Sequence, residues 1–305
     1  MKRVLLVVIL IVAAAVLGLW RTHGARRLTE AIGIYSNTSQ VEARDEVRRS
    51  FQLQPGARLE VQGINGAVDI QTSNTKTAEV YVLRTASSKD ALAHREVIIE
   101  QTADGLRVRC EQSQRLGLWE RIWGRNPNEQ VSIKAPRQIA LSLKGVNGRV
   151  NTGDIDGPLE VKGINGRVQL GQTSGSAEIS GINGGISVGL RQLGERGARL
   201  SGVNGNIELR LTNDLNADLT ARGMNGRLSS EIPAVIVDKD DHGSHYSAHI
   251  GSGGAPITIS GINGNVRLTA AEGASSAASG DKKRDATNQK EVKSTEAKST
   301  KNPGQ

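Results

Sequence analysis

The stretch LSLKGVNGRVNTGDIDGPLEVKGINGRVQLGQTSGSAEISGINGGISV, residues 141–188, contains one phrase three times: Gly145-Val146-Asn147-Gly148, Gly163-Ile164-Asn165-Gly166 and Gly181-Ile182-Asn183-Gly184. Four further copies lie outside it, at Gly63-Ile64-Asn65-Gly66, Gly202-Val203-Asn204-Gly205, Gly223-Met224-Asn225-Gly226 and Gly261-Ile262-Asn263-Gly264. The five copies from 145 to 226 run at intervals of 18, 18, 21 and 21 residues. A recurring interval of that kind means that one structural unit is being reused.

The flanks of the phrase alternate with the period of two expected of half-buried strands. Leu141 with Leu143, Leu159 with Val161, Ala177 with Ile179, Ala198 with Leu200 and Ile257 with Ile259 precede it; Val168 with Leu170, Ile186 with Val188 and Ile207 with Leu209 follow it. Each period therefore holds two short strands and two turns. Asn-Gly supplies one turn, because both residues tolerate positive φ. Asp156-Gly157 and Ser174-Gly175 mark the other. The residue before Asn is apolar in every copy and is placed to plug a corner of the core. Two architectures fit, a meander of antiparallel hairpins and a solenoid with one rung per period. Identical corners favour the solenoid, since stacking would set Asn on Asn and Ile on Ile.

Composition agrees with a thin β-lined interior. Aromatic residues are 2% of the 305, Gly numbers 36, and the formal net charge is +8 from 39 basic and 31 acidic residues. The basic excess is spread along the chain with no interleaved aromatics, which argues against a nucleic-acid partner. Attraction to anionic membranes or wall polymers stays open. The single Cys110 excludes an intramolecular disulfide and multi-Cys metal sites, and its alternating surroundings, Leu106 to Cys110, make it a buried small hydrophobe.

Val4 to Trp20 carries no charge and follows Lys2 and Arg3. At 17 residues it is just long enough to span a bilayer, so residues 1–22 are expected to form an uncleaved signal anchor, a transmembrane helix. Arg21, Arg26 and Arg27 compete with Lys2 and Arg3, so charge alone does not orient it. A linker over 23–44, a strand-repeat domain over 45–270 and a disordered tail over 271–305 complete the expected organisation. The tail is rich in Ala, Ser, Lys, Glu, Asp and Thr and has too little apolar surface to offset ordering entropy. Within the domain an insertion over about 113–130 carries Trp119 and Trp123.

The chain resembles the bacterial putative-adhesin family, a β-strand-repeat domain of unknown function. The resemblance starts at Val47-Arg48-Arg49-Ser50-Phe51 and Pro55-Gly56-Ala57-Arg58-Leu59-Glu60-Val61. It continues through Ala135-Pro136-Arg137-Gln138-Ile139-Ala140-Leu141 and the Asn-Gly series to Gly253-Gly254-Ala255-Pro256-Ile257, roughly 45 to 270. It implies an all-β, right-handed, β-solenoid-like stack with Asn-Gly corners, outside the bacterial cytoplasmic membrane, without established enzymatic activity. Family members often carry an acidic residue after Asn-Gly. Here Arg149, Arg167, Gly185, Asn206, Arg227 and Asn265 stand there, which argues against a metal ladder on that edge.

Three groups of residues could carry chemistry. Asp240, His242, His245 and His249 lie close in sequence, and His245 and His249 would share a strand face. They are weak metal candidates, because the spacing matches no recognised ligand pattern. Lys144, Lys162 and Arg222 occupy one repeat position and Arg149, Arg167 and Arg227 another, so stacking would align them into a stripe for an anionic polysaccharide. Asp240-Asp241-His242-Gly243 faintly suggests a polysaccharide-acting β-helix enzyme, which would need a second positioned carboxylate. No nucleophile elbow, phosphate loop or dinucleotide fingerprint is present, so no catalytic residue and no cofactor are expected. The expected role is non-catalytic: a rigid rod for adhesion, scaffolding or envelope sensing, with membrane, envelope protein or acidic glycan as partners. The alternatives are that enzyme and a ligand-binding regulatory module.

Overall fold

The computed structural model describes residues 43–112, 127–239 and 245–271. They form two mixed β-sheets, of 11 and 10 strands. With strands numbered along the chain, the first sheet holds seven parallel strands in the spatial order β2 (Arg58–Gln62), β8 (Ala140–Asn147), β10 (Leu159–Asn165), β12 (Ala177–Asn183), β14 (Ala198–Asn204), β20 (Ala255–Asn263) and β16 (Ala217–Asn225). The second sheet repeats that order with the strand that follows each Asn-Gly. These are β3 (Val68–Ser73), β9 (Val150–Thr152), β11 (Val168–Ser174), β13 (Ile186–Gln192), β15 (Ile207–Leu211), β21 (Val266–Ala270) and β17 (Leu228–Ser230). One strand from each sheet, joined by one corner, makes a tier. There are seven tiers, and equivalent residues of neighbouring tiers are in register.

That pairing excludes the hairpin meander, whose strands would run antiparallel. In the first sheet Val61, Leu143, Val161, Ile179, Leu200, Ile259 and Ala221 lie side by side, all fully buried. Inward side chains of both sheets join one apolar cluster. Burying each of the larger aliphatics contributes about 1.5–3 kcal/mol, so regular layers of Val, Ile and Leu make a continuous core with hardly an aromatic.

Antiparallel strands close both ends. At one end β6 (Gly105–Gln112) lies parallel to β2 and carries β5 (Arg95–Thr102) antiparallel on its far side; β7 (Asn128–Pro136) extends the other sheet from β3, followed by β4 (Thr77–Ala86) and β1 (Ala43–Gln52). At the other end β19 (His245–Ile250) pairs antiparallel with β16, and β18 (Val237–Lys239) with β19. The one helix among the described residues, α1 (Lys89–Ala93), is capped by Ser88, whose Oγ accepts from the Ala91 amide.

The tiers do not stack in chain order. The tier built on Asn263 sits between those built on Asn204 and Asn225. The expected boundaries also shift slightly. β1 begins at Ala43, two residues inside the expected linker, and β7 takes Asn128, Glu129 and Gln130 from the expected insertion. Among the described residues no helix is long and apolar enough to cross a membrane. The expected anchor over 1–22, Trp119 and Trp123, and the tail from 272 onward lie outside the described residues.

Candidate functional site

The Asn-Gly corner is built by two glycines with different tasks. The first glycine of each phrase, such as Gly163 with φ +65°, adopts the left-handed conformation, and its neighbours then pair out of alternation. The kink turns Val161 and Ile164 to the same interior although they are three residues apart, and the register is kept because the neighbouring strand kinks at its own glycine. Ile64, Val146, Ile164, Ile182, Val203 and Ile262 are all buried in this way, and Met224 nearly so. The second glycine is required by contact. A Cβ on Gly166 would stand 2.1 Å from the Gly148 carbonyl oxygen of the next tier.

The asparagine does something other than turn. Among the described residues no residue but glycine has positive φ, which corrects the expectation that Asn supplies the reversal through a left-handed backbone. Its side chain instead belongs to a ladder. The amides of Asn225, Asn263, Asn204, Asn183, Asn165 and Asn147 each donate to the Oδ1 of the next, ending at Asn65, over 3.0–3.2 Å. Asn65 Nδ2 then donates to the Pro127 carbonyl at 3.0 Å. All seven amides point one way along an exposed edge.

Side chains close the ladder where tiers stop. At the Asn65 end the fully buried Glu129 accepts from the Asn65 amide at 2.8 Å and pairs with Arg95 at 2.6 Å. Arg95 also donates to the Gly63 carbonyl. At the Asn225 end Tyr246 donates its hydroxyl proton to the Gly226 carbonyl at 3.2 Å. Replacing Asn183 by Ala removes two ladder bonds at an exposed site, for an expected loss of about 1–2 kcal/mol, and Asn225→Ala removes one, for about half. Urea unfolding of both variants checks the ratio; equal losses would mean that the ladder is not the cause.

The basic residues do not form one stripe. Lys144 and Lys162 lie side by side, but Ser180, Ser201 and Ser260 separate them from Arg222. Lys144 pairs with Glu160 at 3.2 Å, and Lys162 with Glu160 and Glu178 at 2.9 Å each. Arg222 donates to His245 Nε2 at 3.0 Å. In the other column Arg149 and Arg167 flank the same corner edge, exposed to solvent and without an ion pair among the described residues. Arg227 stands apart from them, beyond Gly185, Asn206 and Asn265. Beside Arg167 the missing side chain of Gly185 leaves a shallow hollow lined by Gln169, Ser187, Asn206, Asn265 and Arg267.

Glu160 is held strongly ionised. Its hydrogen bond from Lys162, followed by those from Ser142 and Lys144, pulls its pKa down to about 2. A carboxylate shifted downward stabilises the fold above its ordinary value, and that contribution is lost as pH falls through the folded value. The stability difference between the parent and Glu160→Gln is therefore expected to shrink between about pH 4.5 and about pH 2, read from denaturant midpoints. A difference unchanged over that window would show that the carboxylate charge contributes nothing.

The metal reading finds no converging ligands. Asp240 and His242 lie outside the described residues. His245 and His249 share the outward face of β19, as expected, but lie about 13 Å apart at four strand residues. Each has its own partner, Arg222 for His245 and Asp218 for His249, the latter at 2.6 Å. No group of three metal-binding side chains forms among the described residues. Cys110 is buried, and burial pushes its thiol up to about 12.

No family model matches the chain, and no curated protein matches it. Solved structures do. The chain is similar to putative adhesins of known structure. A putative cell adhesion protein from Clostridium sporogenes is 11% identical with a TM-score of 0.38, the match covering 74% of this chain and 99% of that one. A putative adhesin from Bacteroides fragilis is 9% identical with a TM-score of 0.32, over 73% and 97%. A putative lipid binding protein from Parabacteroides distasonis is 9% identical with a TM-score of 0.21, over 73% and 96%. At such scores the likeness carries no argument about ligand, partner or activity.

Proposed function

We propose that this chain is a non-catalytic cell-envelope protein, a solenoid-like rod whose corner edge binds anionic envelope polymers. In this reading residues 1–22 hold it at the bacterial cytoplasmic membrane, with the repeat domain outside. The observation that carries the proposal is the pair Arg149 and Arg167. They stand at equivalent places in the corners of neighbouring tiers, without a carboxylate partner among the described residues, beside an exposed row of amides. Guanidinium recognises carboxylate and phosphate through paired donors, and the amides add neutral hydrogen bonding to sugar hydroxyls.

Co-sedimentation of the full-length chain with an acidic polysaccharide at low salt tests this. Retention of the acidic polymer is expected, weakening with salt and in the Arg149→Ala, Arg167→Ala double variant. Equal retention of acidic and neutral polysaccharides would overturn it. The rival enzyme has one geometric point in its favour: Glu160 and Glu178 face each other on neighbouring strands in a polar groove. Glycoside hydrolysis, however, needs a carboxyl group that keeps its proton, and the hydrogen bond from the Lys162 ammonium holds Glu160 ionised.

A further inference from the structure

We infer that the last tier, β20 with β21, is exchangeable between two copies of the chain: it leaves the slot between β14 and β16 and is replaced by the same tier of a second copy. The first ground is order. β16 and β17 precede β20 and β21 in the chain yet lie beyond them in the sheets, so the last tier enters a slot whose two walls come from earlier residues. Both walls are in register with it, Asn204 and Ile257-facing Ala198 on one side, Asn225 and Ile257-facing Leu219 on the other. A strand that fills such a slot must match both.

The second ground is the connection. Gly251-Ser252-Gly253-Gly254 joins β19 to β20, and its three glycines have φ of +61°, +77° and +140°. Four residues reach about 14 Å when extended, and Pro256 biases Ala255 toward an extended backbone. The hinge is fastened by few bonds: Asn216 Oδ1 accepts from the Ser252 amide at 2.8 Å and from its hydroxyl at 3.1 Å, Asp218 accepts from the Gly254 amide at 3.0 Å, and the Gly253 amide donates to the Ile250 carbonyl at 3.1 Å. Among the described residues no element follows β21, so the tier can depart without unthreading another strand.

The third ground is what the slot selects. Ile257, Ile259, Ile262, Val266 and Leu268 are fully buried, so an empty slot is unfavourable and closes on whatever matches it. The occupant must bring those side chains and an asparagine that accepts from Asn225 while donating to Asn204. The hinged tier of a second copy carries that same pattern. Exchange keeps the contacts of the tier within its slot and changes which chain supplies them, so concentration decides between closed and exchanged forms.

Two full-length single variants, Asn204→Cys and Asn263→Cys, are unfolded together in detergent and refolded as a mixture under mild oxidation. Neighbouring strands lie about 4.8 Å apart, within reach of a disulfide, and neither chain alone can form this bridge because Cys110 is buried. The expected result is a disulfide-linked heterodimer that grows with protein concentration and exceeds several-fold the yield from Asn147→Cys with Asn263→Cys, four strands apart. Equal yields from the two pairs would overturn the proposal. Should the cysteine variants fail to refold, light scattering on the unsubstituted chain decides: a dimer fraction rising with refolding concentration supports exchange, and a monomer at every concentration overturns it.

Discussion

Replacing Glu129 by Ala is expected to cost about 3–5 kcal/mol, enough to unfold a domain of ordinary stability under mild conditions. Glu129 is fully buried, and it holds Arg95 through Nε at 2.6 Å and Nη2 at 3.2 Å while accepting the Asn65 amide at 2.8 Å. Truncation strands a largely buried guanidinium and a backbone amide whose counterpart in the next tier, at Asn147, is satisfied by the Ile64 carbonyl. The magnitude comes from the uncompensated charge, so removing both charges is milder. The double variant Arg95→Met, Glu129→Leu is expected to lose far less than Glu129→Ala alone. Urea midpoints for the three proteins decide this; a double variant as unstable as the single one would show that the corner needs the carboxylate for its hydrogen bond, and that the charge balance matters little.

Gly166→Ala is expected to destabilise by about 3 kcal/mol or more, and Gly163→Ala by only about 1–2 kcal/mol, although the two glycines share one corner. The added methyl on Gly166 would meet the Gly148 carbonyl oxygen at 2.1 Å and its carbon at 2.6 Å, and backbone cannot step aside without parting the tiers. At Gly163 the nearest atom is the Gly145 nitrogen at 3.8 Å, so only the left-handed backbone resists. Thermal unfolding of both variants tests the order. A larger loss at Gly163 would mean that backbone strain, and not the approach of neighbouring corners, makes this phrase intolerant.

Much of the repeat was legible because period-two alternation and a fixed phrase are local signals. The inward Val, Ile and Leu positions, the plug before each asparagine and the alignment of Asn on Asn follow from them directly. The place of the tier built on Asn263 was not legible. The long interval from Gly226 to Gly261 says only that something intervenes, and nothing local reports that the chain returns to fill an earlier gap. Ser180 and Ser201 already part Arg222 from Lys162, and Gly185 and Asn206 part Arg227 from Arg167; the displaced tier widens those gaps by Ser260 and Asn265. The Arg95 and Glu129 pair joins positions 34 residues apart, yet half of it had a signal: Glu129 sits in the inward phase of Val131, Ile133 and Ala135, where a carboxylate requires a partner. The left-handed backbone was assigned to Asn because both residue types tolerate it; the kink at the preceding glycine has no signature in alternation alone.

The intercalated tier also decides how the molecule yields under tension. Backbone hydrogen bonds of both sheets run along the direction in which tiers follow one another, so a pull between Ala43 and Ala271 loads them in series and opens them one strand at a time. The strand nearest the pulled C-terminal end is β21, which lies between β15 and β17 and comes out from the middle. Each tier of 18 residues then pays out up to about 60 Å of chain. A stack of this design gives way gradually and lengthens before it fails.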